Sequence, residues 1–455
     1  MLDIAGKTLG GFCDGLTRRS VLRLGALGIG GLALSDLFRL RAQAAAPKSR
    51  SGKPKAVIMV VLPGGPSHID TYDMKPDAPL EYRGEFRPIR SNVPGIDLCE
   101  LLPCQAQIAD KLAIVRSFQV KEDLQHALHE VYTGFAGEPN QAFPGGRALR
   151  PAFGSIVSQL RGDQAQLPAY VSLRHSTIGR AVPVAEDPAY LGSAHRPFVP
   201  STTALQNFEL PRGMTADRFA ERQSLLQSFD KLRRDLDLQG DMAGVDDFGA
   251  RARDLIRSAR VRDAFDVSRE PESIRRTYES PILGKYSERS LALLQARRLV
   301  EAGVPVVTVT FGGWDHHSAT GEPPIFTSLR GLLPAYDFAV TALINDLHQS
   351  GLSDDVAVVV WGEFGRTPRV SNRGGRDHWP PAGFVVFAGG GLKTGQLIGG
   401  TDRRAERPTG TPIGPQNVLA TLYHVLGIDP ATTLPDHQGR PIALLDDPRP
   451  IAELI

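Results

Sequence analysis

VVVWGEFGRTPRVSNRGGRDHWP, Val358 to Pro380, joins an unbroken β-branched run to a carboxylate, Glu363. Arg366 follows, and a Gly-rich turn then leads to Asp377 and His378. An apolar run without alternation reads as a strand buried on both faces, the habit of parallel sheets between helix layers. Polar chemistry placed where such a strand stops fits the rule that open α/β sheets carry their sites outside the strands' carboxyl ends.

The same grammar recurs in both directions along the chain. Residues 56–62 form a second buried run, closed by Pro-Gly-Gly. Residues 112–118, 168–173, 304–311 and 383–388 read as further strands. Helical periodicity covers 123–132, 287–302, 336–349 and 416–426, and Gly303, Gly351 and Gly427 stand just past the last three. Alternating helix and buried strand predicts an α/β domain over residues 55–455 with a parallel or mostly parallel sheet. Residues 213–282 are charged and helix-forming, and read as a helical insertion over that core.

Composition restricts function. The chain has 455 residues, 41% hydrophobic and 22% charged, with a formal net charge of +2. That balance lacks the basic footprint of a nucleic-acid binder, and the arginines of the insertion are interleaved with acids. Cys13, Cys99 and Cys104 are too few for a disulfide framework. Cys99 and Cys104 either pair in an oxidising compartment or stay ordinary thiols. Near the start, Thr17-Arg18-Arg19-Ser20 precedes a short apolar run, and Ala42-Gln43-Ala44 supplies small residues for cleavage. This pattern fits a twin-arginine signal over residues 1–45, followed by a linker at 46–54. Export through the twin-arginine machinery to the periplasm or beyond is expected, with no stable membrane span after cleavage.

Three strand ends deliver candidate ligands. His68 and Asp70 follow the first, Asp315 and His317 follow the strand at 304–311, and Glu363 follows the run of the opening stretch. Asp377 and His378 return on the next loop. Imidazole mixed with carboxylate suits Zn²⁺ or Mn²⁺, whereas carboxylate alone suits Mg²⁺ or Ca²⁺. Seven candidates exceed the needs of one ion, so one or two ions are expected. Arg366 and Arg376 are candidates to neutralise an anionic substrate, and Ser67 and Thr133 are candidate nucleophiles. His126 and His129 share one face of the helix expected at 123–132, turned either to the site or to solvent.

Together these stretches resemble the alkaline phosphatase and sulfatase superfamily, and within it a twin-arginine-exported bacterial group, the domain of unknown function numbered fifteen-hundred-and-one. The resemblance rests on GGPSHIDTYDMKP (64–76), HEVYTG (129–134), LPAYVSL (167–173), GGWDHHS (312–318) and GEFGRTPR (362–369). GGRDHWP (374–380), AGGGLKTGQLIGGTD (388–402) and GRP (439–441) complete it. It implies an alkaline-phosphatase-like three-layer α/β/α sandwich with Asp315, His317 and His378 as metal ligands. Phe364 stands where the superfamily carries a histidine after the carboxylate, and no Cys-x-Pro-x-Arg sulfatase motif is present. The implied activity is exported metal-dependent hydrolysis of phosphate or sulfate esters, of a small molecule or a polysaccharide. Phosphomutase-like and phosphonate-cleaving relatives belong to the same superfamily. The alternative is a non-catalytic metal-stabilised module that binds an anionic glycan or a cell-surface partner.

Overall fold

The computed structural model describes residues 55–121, 126, 128–136, 149–162, 167–174, 181–200 and 263–455. The signal and linker expected at 1–54, and most of the insertion expected at 213–282, lie outside them.

Seven strands form the central sheet: β1 (Ala56–Val61), β2 (Ala113–Phe118), β3 (Tyr170–Leu173), β4 (Val306–Thr310), β5 (Val356–Trp361), β6 (Gly383–Gly389) and β7 (Gln396–Ile398). Their order is β7-β2-β6-β5-β1-β4-β3. β1 pairs in parallel with both β4 and β5, β3 runs parallel to β4, and β7 runs parallel to β2. Within the sheet only β6 runs against its neighbours.

Register places the site. Val61 at the end of β1 lies opposite Thr310 on one side and Trp361 on the other. The loops after these three strands therefore emerge side by side. β6 is antiparallel to β5, so the loop entering it, with Asp377 and His378, starts from the same edge. β2 ends there too, because Phe118 pairs with Gly383. The one antiparallel strand is thus what returns the last loop to the site.

Alternation along β1 splits the core in two. Ala56, Ile58, Val60 and Leu62 face one layer, and Val57, Met59 and Val61 face the other. The first layer holds α3 (Ser287–Ala302) and α4 (Ile325–Gln349). The second holds α1 (Leu128–Thr133), α2 (Phe153–Arg161) and α5 (Pro415–Val425). Each buried Val, Leu or Ile contributes about 1.5–3 kcal/mol. The expected α/β/α layering is present, with helices on both faces.

α4 is longer than its periodicity suggests, because it runs through Pro334. Proline removes one helical hydrogen bond and crowds the preceding turn. Here Leu329, Leu332 and Leu333 before it, and Tyr336, Val340 and Leu343 after it, bury into the same core cluster. Packing on both sides outweighs the local break. Of the helix expected at 123–132, Leu128 onward is helical as α1 and His126 is not, while residues 123–125 and 127 lie outside the described residues. Cys99 and Cys104 are free thiols, and burial pushes them up to about 12 and about 11. No helix of the described residues is long and apolar enough to cross a membrane.

A buried ion cluster ties this frame to Glu270, in the described part of the expected insertion. Arg297 on α3 donates to Asp346 on α4 at 2.9 Å, to Glu301 at 2.6 Å, and to Glu270. Removing the guanidinium leaves Asp346 buried with only the Tyr278 hydroxyl, at 2.8 Å, and leaves Glu270 to Arg298 alone. Arg297→Met is expected to lower stability by about 3–5 kcal/mol, read as a fall in the urea midpoint with an unchanged slope.

Candidate metal centre

The three neighbouring strand ends are knitted by backbone as much as by side chains. Gly64 sits at φ +115°, and a Cβ there would lie 2.5 Å from the Asp315 nitrogen. Glycine is required both for that conformation and for that approach. Gly64 N–H donates to Glu363 Oε1 at 2.8 Å. A Cβ on Gly375 would lie 2.1 Å from the His317 carbonyl oxygen, so the loop entering β6 also touches the loop after β4.

On this frame, four side chains converge. His126, Asp315, His317 and His378 each offer a ligand atom within 4.8 Å of all the others. His317 Nε2 lies 2.8 Å from His378 Nε2 and 2.9 Å from Asp315 Oδ1. His317 Nδ1 lies 2.7 Å from Asp377 Oδ1, which assigns the proton to Nδ1 and leaves a lone pair on Nε2. His126 Nδ1 donates to Glu363 Oε1 at 2.9 Å, and its Nε2 lies 3.3 Å from Asp315 Oδ2. Burial disfavours charge on this ring, but the hydrogen bonds to Asp315 and Glu363 outweigh it and hold it up at about 9. Burial also opposes ionisation of Asp315, yet His126, His378 and Arg366 hold that carboxyl well below the usual range.

Phe364 packs against two of these imidazoles. Its ring lies 4.4 Å from the His378 ring and 5.7 Å from the His126 ring, centroid to centroid. It walls the cluster and orients both imidazoles. The short antiparallel ribbon of Gly365–Arg366 with His378–Trp379 sets His378 opposite Arg366.

The donor set fits a divalent cation. Electron-rich atoms from two imidazoles and a carboxylate meet within hydrogen-bond distance, which is favourable only around a proton or a metal ion. Glu363 Oε2 is buried without a hydrogen-bond partner among the described residues. A buried carboxylate oxygen without a partner is costly, and a nearby cation relieves that cost.

The other expected residues have different partners. Asp70 is fully buried against Arg376, with Nε to Oδ2 at 2.8 Å and Nη2 to Oδ1 at 3.0 Å. Ser67 Oγ donates to the same carboxylate at 2.6 Å. His68 is buried in a third direction, its Nε2 donating to the Ala405 carbonyl at 2.9 Å, and burial lowers its pKa. Thr133 Oγ1 donates to the His129 carbonyl at 2.8 Å within α1. Arg366 is buried and donates to Gly65 O at 2.8 Å, to Arg376 O at 2.9 Å and to Gly64 O. It also reaches Trp314 O at 3.3 Å and Asp315 Oδ1 at 2.6 Å.

Of the seven expected ligands, the structure therefore brings together Asp315, His317 and His378. It sets Asp377 behind His317 and Glu363 behind His126, and takes His68 and Asp70 elsewhere. Arg366 and Arg376, the expected anion-neutralising residues, are both buried and donate to acceptors of neighbouring loops. The hydroxyls of Ser67 and Thr133 are committed to internal bonds. His126 was expected at the site only in company with His129. It enters alone because it precedes α1, whereas His129 lies buried within that helix.

A family model described as "Protein of unknown function (DUF1501)" matches residues 54–455. No curated protein matches the chain. Solved structures similar to it include Ps i-CgsB in complex with k-i-k-neocarrahexaose, at 10% identity and a TM-score of 0.41, covering 82% of this chain and 72% of that one. Another is the phosphonate monoester hydrolase SpPMH from Silicibacter pomeroyi, at 11% identity and 0.41, covering 83% and 74%. A protein in the alkaline phosphatase superfamily from Vibrio parahaemolyticus is similar at 10% identity and 0.39, covering 84% and 69%.

Asp377 touches His317 without joining the four converging groups. Asp377→Ala is expected to weaken Zn²⁺ binding by about 10–100-fold in a calorimetric titration. Because the side chain is exposed, the metal-free melting temperature should stay close to the parent's. Unchanged affinity would remove His317 from the ligand set.

Proposed function

We propose that this chain, which belongs to the DUF1501 family, is a metal-dependent hydrolase of phosphate or sulfate esters that uses water as its nucleophile. The observation that supports this reading is the convergence of His126, Asp315, His317 and His378 at the shared ends of parallel strands. An imidazole-rich set with one carboxylate favours Zn²⁺ or Mn²⁺ over Mg²⁺ or Ca²⁺. One ion suits these four groups, and the partnerless oxygen of Glu363 leaves room for a second. When bound, a divalent cation supplies Lewis acidity and lowers the pKa of nearby water.

The chain's own residues prepare that chemistry. Asp377 keeps the His317 proton on Nδ1, so that Nε2 faces inward as a donor atom. Arg366 holds Asp315 ionised and in place. Glu363 and Phe364 orient His126 and His378. Water is assigned as nucleophile because Ser67 and Thr133 direct their hydroxyls into internal bonds. The substrate is an ester of a small molecule or a polysaccharide. It is met outside the cytoplasm, after export by the twin-arginine route.

One observation favours a second reading, a non-catalytic metal-stabilised module for an anionic glycan or a cell-surface partner. Arg366 and Arg376, the two arginines expected to meet an anionic substrate, are both buried and engaged by protein acceptors. Neither of these two guanidiniums is then free to meet the charge of an anionic ester's transition state.

Chromogenic phosphate monoesters, phosphate diesters and sulfate esters, assayed with Zn²⁺, Mn²⁺, Mg²⁺ or Ca²⁺ added, separate the two. The hydrolase reading expects metal-dependent turnover of at least one ester class, lost on Asp315→Ala with the far-ultraviolet dichroism retained. Tight metal retention without turnover of any ester would select the module instead.

A further inference from the structure

Residues of two segments, 187–196 and 436–440, together with Leu149, line a cavity of about 610 Å³. None of the lining residues belongs to the metal centre. Its volume falls within the range of ligand pockets, about 300–1,000 Å³.

The lining is built rather than incidental. Arg196 Nη2 donates to Asp187 Oδ2 at 3.1 Å. Arg440 Nε donates to Asp436 Oδ2 at 2.8 Å, and its Nη2 lies 2.7 Å from the same oxygen. The second oxygen of each acid fastens its own turn. Asp187 Oδ1 accepts from Ala189 N at 2.8 Å, and Asp436 Oδ1 accepts from Gln438 N at 2.8 Å and Arg440 N at 2.9 Å. Ala189 is held at φ 48°, a left-handed conformation that is strained for an alanine. The strained turn delivers Tyr190 to the cavity, where its ring meets His437 edge to face at 6.4 Å.

Charge chooses the ligand class. Two carboxylates and two guanidiniums cancel, so a phosphate or sulfate would face Asp187 and Asp436 at a cost. A wholly apolar ligand would strip water from both ion pairs. A sugar meets neither objection. Adjacent hydroxyls can donate to a carboxylate oxygen and accept from the neighbouring guanidinium N–H, while the C–H face of the ring lies on an aromatic wall. We infer that this cavity is a binding site for a neutral saccharide, set apart from the metal centre and independent of what that centre does.

The test is calorimetric titration of the full chain with neutral hexasaccharides of glucose, galactose and mannose, and with glucose 6-sulfate as the anionic comparison. Saturable binding of at least one neutral hexasaccharide is expected. Tyr190→Ala and Arg440→Gln should each weaken it at least about tenfold, and Asp315→Ala should leave it unchanged, which separates this site from the hydrolase reading. Should Tyr190→Ala lose its cooperative melt, Arg440→Gln, at an exposed turn, decides alone. No saturable binding to any neutral hexasaccharide by a cooperatively melting parent overturns the proposal. So does binding indifferent to the variants, or tighter binding of glucose 6-sulfate.

Discussion

Arg366 has no exposed surface, and a guanidinium in that position must find acceptors in every direction. Its acceptors are the carbonyls of Gly64, Gly65, Trp314 and Arg376, and the carboxylate of Asp315. Those groups come from the loops after β1 and β4 and from the loop entering β6. One buried cation thereby fixes three loops against each other and aims Asp315. Arg376 repeats the device one level out, joining Asp70 of the first loop to Tyr82, Thr367 and Pro368. The candidate metal centre rests on this scaffold.

That scaffold also explains the electrostatics of the cluster. Asp315 lies between Arg366 on one side and the imidazoles of His126, His317 and His378 on the other. Positive neighbours keep it ionised, and the ring of His126, bridging Asp315 and Glu363, is held protonated at neutral pH in the absence of a metal ion. The same carboxylates that raise this ring's basicity are those that attract a divalent cation.

The site was partly legible in the chain. Asp315, His317 and His378 were readable because each stands just past a buried strand or on the loop between two, and strand ends converge in a parallel sheet. His68 and Asp70 satisfy the same rule, yet their partners are a carbonyl and a guanidinium. A carboxylate aimed at a metal ion and one aimed at an arginine 306 residues away have the same local sequence. His126 was ambiguous for another reason. Helical periodicity groups it with His129, but His126 is not helical, and a residue outside a helix loses the direction that periodicity assigns. Pro334 misleads about α4 similarly, since a local breaker says nothing of the core on either side.

By itself the sequence determined the layered α/β architecture, because unbroken apolar runs alternating with amphipathic helices leave a buried sheet few other arrangements. It also determined which loops carry chemistry, because side-chain type and position after a strand are local properties. Only the tertiary structure decided which polar groups meet. The direction of β6, the capture of Arg366 by distant carbonyls and the pairing of Asp70 with Arg376 are long-range choices. They are set by the need to satisfy every buried charge and hydrogen-bonding group at once, and no local stretch encodes such a condition.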